Sequence, residues 1–217
     1  MSTTETKVKE RPILFSGPMV RAILEGRKTQ TRRIVNLDRA YHDCGRHEIM
    51  EWRNQNGFWF GLYEWNTVAS LQCPYGNVGE RLWVRETWAV VPKVSDDGPK
   101  HKAKGDGTGA TWRADWNGNP SGFPWKPSIH MPRWASRINL EITGVRVERL
   151  NDISEADAYS EGVTIPSHYK FASNGRPNDR NEARVTFETL WESINGPESW
   201  PLNPWVWVVE FKRIGDL

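Results

Sequence analysis

The chain has 217 residues, 29 basic and 27 acidic side chains, a formal net charge of +2 and two cysteines. That near-neutral balance argues against a dedicated duplex-DNA binder with a broad basic face, and Cys44 and Cys73 alone make no disulfide framework. The start MSTTETKVKERP lacks the apolar stretch of a signal peptide, and no run reaches the ~18 apolar residues of a membrane span. A soluble, cytoplasmic protein that touches no membrane is expected.

Residues 1–10 are polar and expected to be disordered. Pro12 to Phe15 reads as a short strand. Ser16 then caps a helix over about Gly17–Glu25, with Pro18 in its first turn and Met19, Val20, Ile23 and Leu24 as its apolar stripe. Gly26 stands where a helix-ending glycine belongs, and Thr29 to Val35 is β-prone. Strands are expected near Glu48–Arg53 and Phe58–Glu64, around the turn NQNG. Arg81 to Trp88 reads as one strand whose inward face carries Leu82, Val84, Glu86 and Trp88. A carboxylate on an inward face needs a partner or a task.

Pro92 to Pro132 shows little periodicity and is expected to be a long lid or binding loop, docked in part by Trp112, Trp116, Trp125 and Trp134. Ala135 to Leu150 alternates as one long or two short strands. Ser154 and Asp157 are spaced as the capping box of a short helix ending near Glu161-Gly162. Asn181–Ser193 reads as a helix with Val185, Leu190 and Ile194 among its apolar positions, and Pro204–Arg213 as a central strand. Strands outnumber helices. The expected fold is α/β (α+β): a small β-barrel flanked by a few helices, one domain over 11–217, with insertions at about 36–72 and 92–132. Thirteen tryptophans, from Trp52 to Trp207, offer core area and ring faces on which bases can stack.

Chemistry concentrates in Arg27-Lys28-Thr29-Gln30-Thr31-Arg32-Arg33, where a helix hands over to a strand. A solvated basic connection would also look like this. Lys28 and Thr31 are three apart and face opposite ways on one continuous strand. They converge only if Lys28 lies ahead of the strand and folds its stem back.

FSGPMVRAILEGRKTQTRR, CPYGNVGERLWVRETW, VERLNDISEADAYSEGV and NPWVWVVEFKR, in that order, resemble the ASCH family of the PUA-like superfamily, most of all its larger phage and prophage branch. The resemblance spans the chain apart from roughly 36–72 and 92–126, and it implies a PUA-like barrel. Small bacterial members hydrolyse N4-acetylcytidine to cytidine and acetate with a Lys, a Thr and a Glu. The GRKT-x-T element carries the first two onto Lys28 and Thr31, and the end of the short helix after the long strand carries the third onto Glu161. Gly162 and Val163 depart from the family, which has bulkier residues there. The implied activity is a metal-independent, cofactor-free amidohydrolase acting on N4-acylated cytosine nucleosides.

That chemistry is coherent. Thr31 supplies a hydroxyl, and Lys28 serves as its base if the amine is neutral, which means bringing a pKa near 10.4 down by about 3. Burial and the nearby Arg27, Arg32 and Arg33 push that way. An ionised Glu161 pushes back, which suits it to orienting groups or shuttling protons. The reverse assignment, Glu161 as base for an attacking water and Lys28 as oxyanion partner, stays open. Substrate contacts are expected from Arg32, Arg33, Glu86 and Trp88, and from Arg133 in SIHMPRW beside His130 and Met131. Packing for Trp88 and a tight turn for SIHMPRW are the structural alternatives. A different class of function is a non-catalytic module that binds RNA or a modified nucleotide in the same cleft. A third is an accessory protein whose Trp-rich insertion binds another protein. His42, Cys44, His47 and Cys73 match no standard zinc spacing, and GDGTG at 105–109 lacks the setting of a P-loop, so no metal or phosphate site is expected there.

Overall fold

The apolar run WVWVVEF becomes β11 (Trp205–Ile214), which pairs along its length with the antiparallel β10 (Asn139–Arg149). Its side chains divide by parity: Trp207, Val209 and Phe211 enter one core, and Val206 and Val208 enter another. A strand buried on both faces reads as continuous apolar sequence for this reason. The structure, a computed structural model, describes residues 8–36, 48–54, 57–64, 67–92, 102–104, 108–116, 123–165 and 182–215.

On its other side β11 pairs with β2 (Gln30–Ile34); β10 pairs with β6 (Arg81–Arg85), and β6 runs parallel to β1 (Glu10–Leu14). The result is a five-stranded mixed sheet of order β1-β6-β10-β11-β2. Two three-stranded antiparallel sheets accompany it. One joins β3 (Glu48–Asn54), β4 (Gly57–Glu64) and β5 (Thr67–Leu71); the other has the order β7 (Trp88–Pro92), β9 (Thr108–Trp112), β8 (Lys102–Ala103). Three α-helices are described: α1 (Gly17–Leu24), α2 (Glu155–Ser160) and α3 (Glu182–Asn195). None is long and apolar enough to cross a membrane. The fold is a mixed α+β arrangement.

The five-stranded ladder does not close into a barrel by strand pairing, since β1 and β2 are its edges. Side chains link those edges: Arg33 donates to the Leu14 carbonyl at 2.6 Å, and its guanidinium lies 5.5 Å from the Phe15 ring.

Several expectations change. The segment 8–10 is ordered, with Glu10 opening β1 opposite Arg81. Arg81–Trp88 is two strands in two sheets, broken at Glu86-Thr87. The inward set Leu82, Val84, Glu86 and Trp88 is buried all the same. The break arises because the Glu86 carboxylate is taken by Arg137, at 2.9 and 3.1 Å, while the Thr87 carbonyl accepts from Arg113 N–H. The stretch 92–132 contains β8 and β9, ordered because Trp112 and Ala110 bury against Trp88, Met131 and Ala135, with the Trp112 indole donating to the Ala135 carbonyl.

Of the positions expected to face inward on α3, Leu190 packs against the core, but Val185 and Ile194 do not. Ala183, Phe187 and Trp191 are buried, while Val185 and Ile194 are 50% and 55% exposed. Its rotation is fixed from outside: the Glu155 carboxylate on α2 accepts from the backbone N–H groups of Ala183 and Arg184, at 2.7 and 3.0 Å. An acceptor at a helix N-terminus answers both its free N–H groups and its dipole.

Candidate functional site

The site is built where α1 ends and where α2 ends. Beyond α1, Gly26 adopts a positive φ of 75°, and the N–H groups of Arg27 and Lys28 both donate to the Ala22 carbonyl, at 2.9 and 3.0 Å. Lys28 therefore stands ahead of β2, as its convergence with Thr31 requires. Ser154 caps α2 by accepting from Asp157 N–H at 3.0 Å, and the helix finishes at Glu161. An isolated antiparallel bridge then joins Lys28 to Glu161.

Gly162 makes that approach possible. Its φ is 84°, and a Cβ there would lie 2.8 Å from the Lys28 Cβ and 2.9 Å from the Ala22 Cβ. Both the left-handed backbone and the contact exclude a side chain. Gly162 is thus what lets this helix end meet Lys28. Gly162→Ala is expected to lower stability by about 2 kcal/mol or more, read as a shift of the denaturation midpoint.

Lys28 donates from Nζ to Glu161 Oε2 at 2.7 Å and to the Glu161 carbonyl at 2.9 Å. Arg32 donates to the other carboxylate oxygen at 3.1 Å. Lys28 is 2% exposed and Glu161 3%, so this is a buried pair flanked by a second cation. Arg32 also bonds Glu148, which Arg146 holds at 3.0 Å while donating to Asp157 at 3.2 Å and pairing with Glu210. Gln30 donates to Asp157 at 3.0 Å. Buried charges survive by this kind of satisfied network.

Burial pulls the Lys28 pKa below its ordinary 10.5; Glu161 opposes the shift, and Arg33 and Arg32 reinforce it. Burial tends to raise Asp157, yet its hydrogen bonds from Ser154 and Gln30 and the cations Arg32 and Arg146 hold it below the usual carboxylate range. The sign for Lys28 follows from proton counts. Between its lowered native value and 10.5, the unfolded chain binds a proton that the native protein does not, so stability rises with pH through that window. In urea denaturation from pH 7 to 10, the stability of the native chain relative to Lys28→Met is expected to increase with pH; a constant difference would show that the lysine is charged in the fold.

A pocket of about 150 Å³ opens beside edge strand β2. Thr31, Arg32, Arg33 and Glu161 supply its polar wall, Tyr75 adds a ring, and α3 contributes Phe187 and Trp191. Lys28 is not on the wall. Among the described residues the Thr31 hydroxyl has no hydrogen-bond partner.

Of the residues expected at the site, Lys28, Thr31, Arg32, Arg33 and Glu161 come together. Glu86, Trp88 and Arg133 do not. Glu86 pairs with Arg137, which also holds Asp115 at 3.0 Å and stacks 4.2 Å from the Trp112 ring. Burial raises the Glu86 pKa against the opposing Arg137 hydrogen bonds. Trp88 packs in the Trp112–Met131 cluster, edge-on to Trp134 at 5.8 Å. Arg133 bonds Glu10 at 2.9 Å and Asn139 at 2.8 Å. In the structure each spends its polar or aromatic surface elsewhere: Glu86 on Arg137, Trp88 on the Trp112–Met131 cluster, and Arg133 on β1 and β10. Arg27 bonds Glu25 and the Gly162 carbonyl, outside the Lys28 environment. Met131 is fully buried beneath Trp88, and His130 is exposed and off the pocket wall. His42, Cys44 and His47 lie outside the described residues, while Cys73 packs against the main core. Sequence reasoning missed Glu148, Arg146, Tyr75, Phe187 and Trp191. Only the alternation of β10, which puts Arg146 and Glu148 on one face, hinted at the first two.

Comparison with family models, with curated proteins and with solved structures found no match to this chain.

Proposed function

We propose that this protein is an amidohydrolase of the ASCH type, on a PUA-like barrel, that hydrolyses N4-acetylcytidine and related N4-acylated cytosine nucleosides. The observation that carries the reading is the shared pocket wall: an unbonded Thr31 hydroxyl together with the Glu161 carboxylate, itself backed by a buried Lys28. The pocket's volume of about 150 Å³ matches that of a cavity which takes one aromatic ring, which suits a pyrimidine.

The division of roles follows from access. Glu161 meets the substrate and Lys28 does not, so Glu161 takes the first proton. Thr31 Oγ1 attacks the acyl carbon as its proton passes to the Glu161 carboxylate, which Lys28 backs through the 2.7 Å hydrogen bond. Arg33, a cation on the same pocket wall, supplies electrostatic stabilisation to the tetrahedral oxyanion. The proton returns by the same path to N4 as the cytosine amine leaves. Water then cleaves the acyl-Thr31 ester by the same relay and releases the acid.

The test is incubation of purified protein with N4-acetylcytidine in the presence of EDTA, following conversion to cytidine by absorbance and mass. The expected result is turnover that EDTA leaves unchanged and that Lys28→Met abolishes. Absence of turnover with the nucleoside and with larger N4-acyl analogues, alongside salt-dependent affinity for RNA, would establish the binding module in its place.

A further inference from the structure

The pocket has a second end that the proposed chemistry does not use. Arg32 bonds Glu161 at 3.1 Å and lies 5.9 Å from the Phe187 ring, which fixes Phe187 at the reacting end. Helix α3 carries the wall away from there: Asn195, its last residue, stands ~12 Å beyond Phe187 at ~1.5 Å of rise per residue. The two ends differ in access. Thr31 and Glu161 are each 3% exposed, whereas Ile34 and Ile194 are 48% and 55% exposed and Asn195 is exposed as well, so these three form the mouth.

Asn195 is the polar group of that mouth. Its Nδ2 donates to the Trp191 carbonyl at 3.1 Å, which holds the amide against the helix and leaves Oδ1 an acceptor without a partner among the described residues. The surroundings select what it accepts from. Asn195 closes α3 at its C-terminal, partially negative end, and Glu192 stands about one turn before it. Arg33 shares the Phe15 ring with Lys28, at 5.5 and 5.6 Å, and so belongs to the reacting end. An acceptor in a negative field takes hydroxyl donors and disfavours phosphate. A cytosine whose N4-acyl group lies at Thr31 and Glu161 directs its N1, across the ring from C4, and hence its sugar, toward the mouth. We propose that Asn195 is a specificity-determining residue that accepts a hydrogen bond from a ribose hydroxyl, so that the pocket takes a nucleoside in preference to a free base or a nucleotide. The inference rests on the reading of the pocket as a cytosine site, but it concerns recognition of the sugar and not hydrolysis.

The experiment is equilibrium binding of cytidine, 1-methylcytosine and cytidine 5′-monophosphate to the full chain and to Asn195→Ala. The position is exposed and its amide bonds only within its own helix turn, so the variant keeps the fold. The native chain is expected to bind cytidine about fivefold more tightly than 1-methylcytosine, and the monophosphate more weakly than cytidine. Asn195→Ala is expected to lose the preference for cytidine and to bind 1-methylcytosine as before. Preference retained in Asn195→Ala would overturn the assignment, as would a native chain that binds none of the three or binds the monophosphate most tightly. A preference lost in Asn195→Ala, without turnover of N4-acetylcytidine by the native chain, would leave Asn195 in its role and remove the amidohydrolase reading. Turnover with KM unchanged in Asn195→Ala would do the reverse.

Discussion

Glu161→Ala is expected to lower the free energy of unfolding by about 3 kcal/mol, because it strips the shared acceptor from two buried cations. The two partners respond differently. Lys28 can release its proton, and burial already pulls its pKa down, so it adapts to the loss. Arg32 cannot, but it keeps Glu148. The figure therefore sits at the low end of the ~3–5 kcal/mol typical of breaking a buried pair. Chemical denaturation at pH 7 measures it. A paired replacement, Lys28→Met with Glu161→Leu, is expected to recover much of the loss, since apolar residues of similar volume need no solvation. If Glu161→Ala left the midpoint in place, the buried network would not be the anchor between α1, α2 and β2.

Thr31→Val is expected to behave in the opposite way. The hydroxyl has no partner among the described residues, so its exchange for a methyl group removes no hydrogen bond to them and should leave stability within about 0.5 kcal/mol. Turnover of N4-acetylcytidine is expected to fall by at least about 10³-fold, the consequence of removing a nucleophile that acts as one unit with its base. Intact folding with lost turnover would identify Thr31 as the attacking group. Retained turnover would identify water as the nucleophile, with Glu161 as its base. Measured side by side, the two variants separate the residue that holds the site together from the residue that reacts.

The local devices of this fold were legible because each is encoded within a few residues. Gly26 ends α1 from the left-handed region, Ser154 caps α2 by accepting from Asp157 N–H, and WVWVVEF makes a strand buried on both faces. The position of Lys28 ahead of β2 was also in reach as the condition for its convergence with Thr31, and the chain meets it by turning back over Ala22. What sequence could not supply were decisions made by distant partners. Glu86 and Trp88 share an alternation with Leu82 and Val84, yet Arg137 claims Glu86 and the strand breaks there, carrying Trp88 into another sheet. The inward face of α3 depends on the Glu155 carboxylate, 27 positions before the helix begins, and neither periodicity nor propensity within 182–195 contains that information. By itself the sequence determined the helix ends, the strand alternation and the basic turn that presents Lys28 and Thr31, because short-range sterics and hydrogen bonding suffice for them. The tertiary structure alone decided which buried charges became neighbours and which aromatic wall faces Thr31, because desolvated carboxylates and guanidiniums accept only partners that the fold brings from far along the chain.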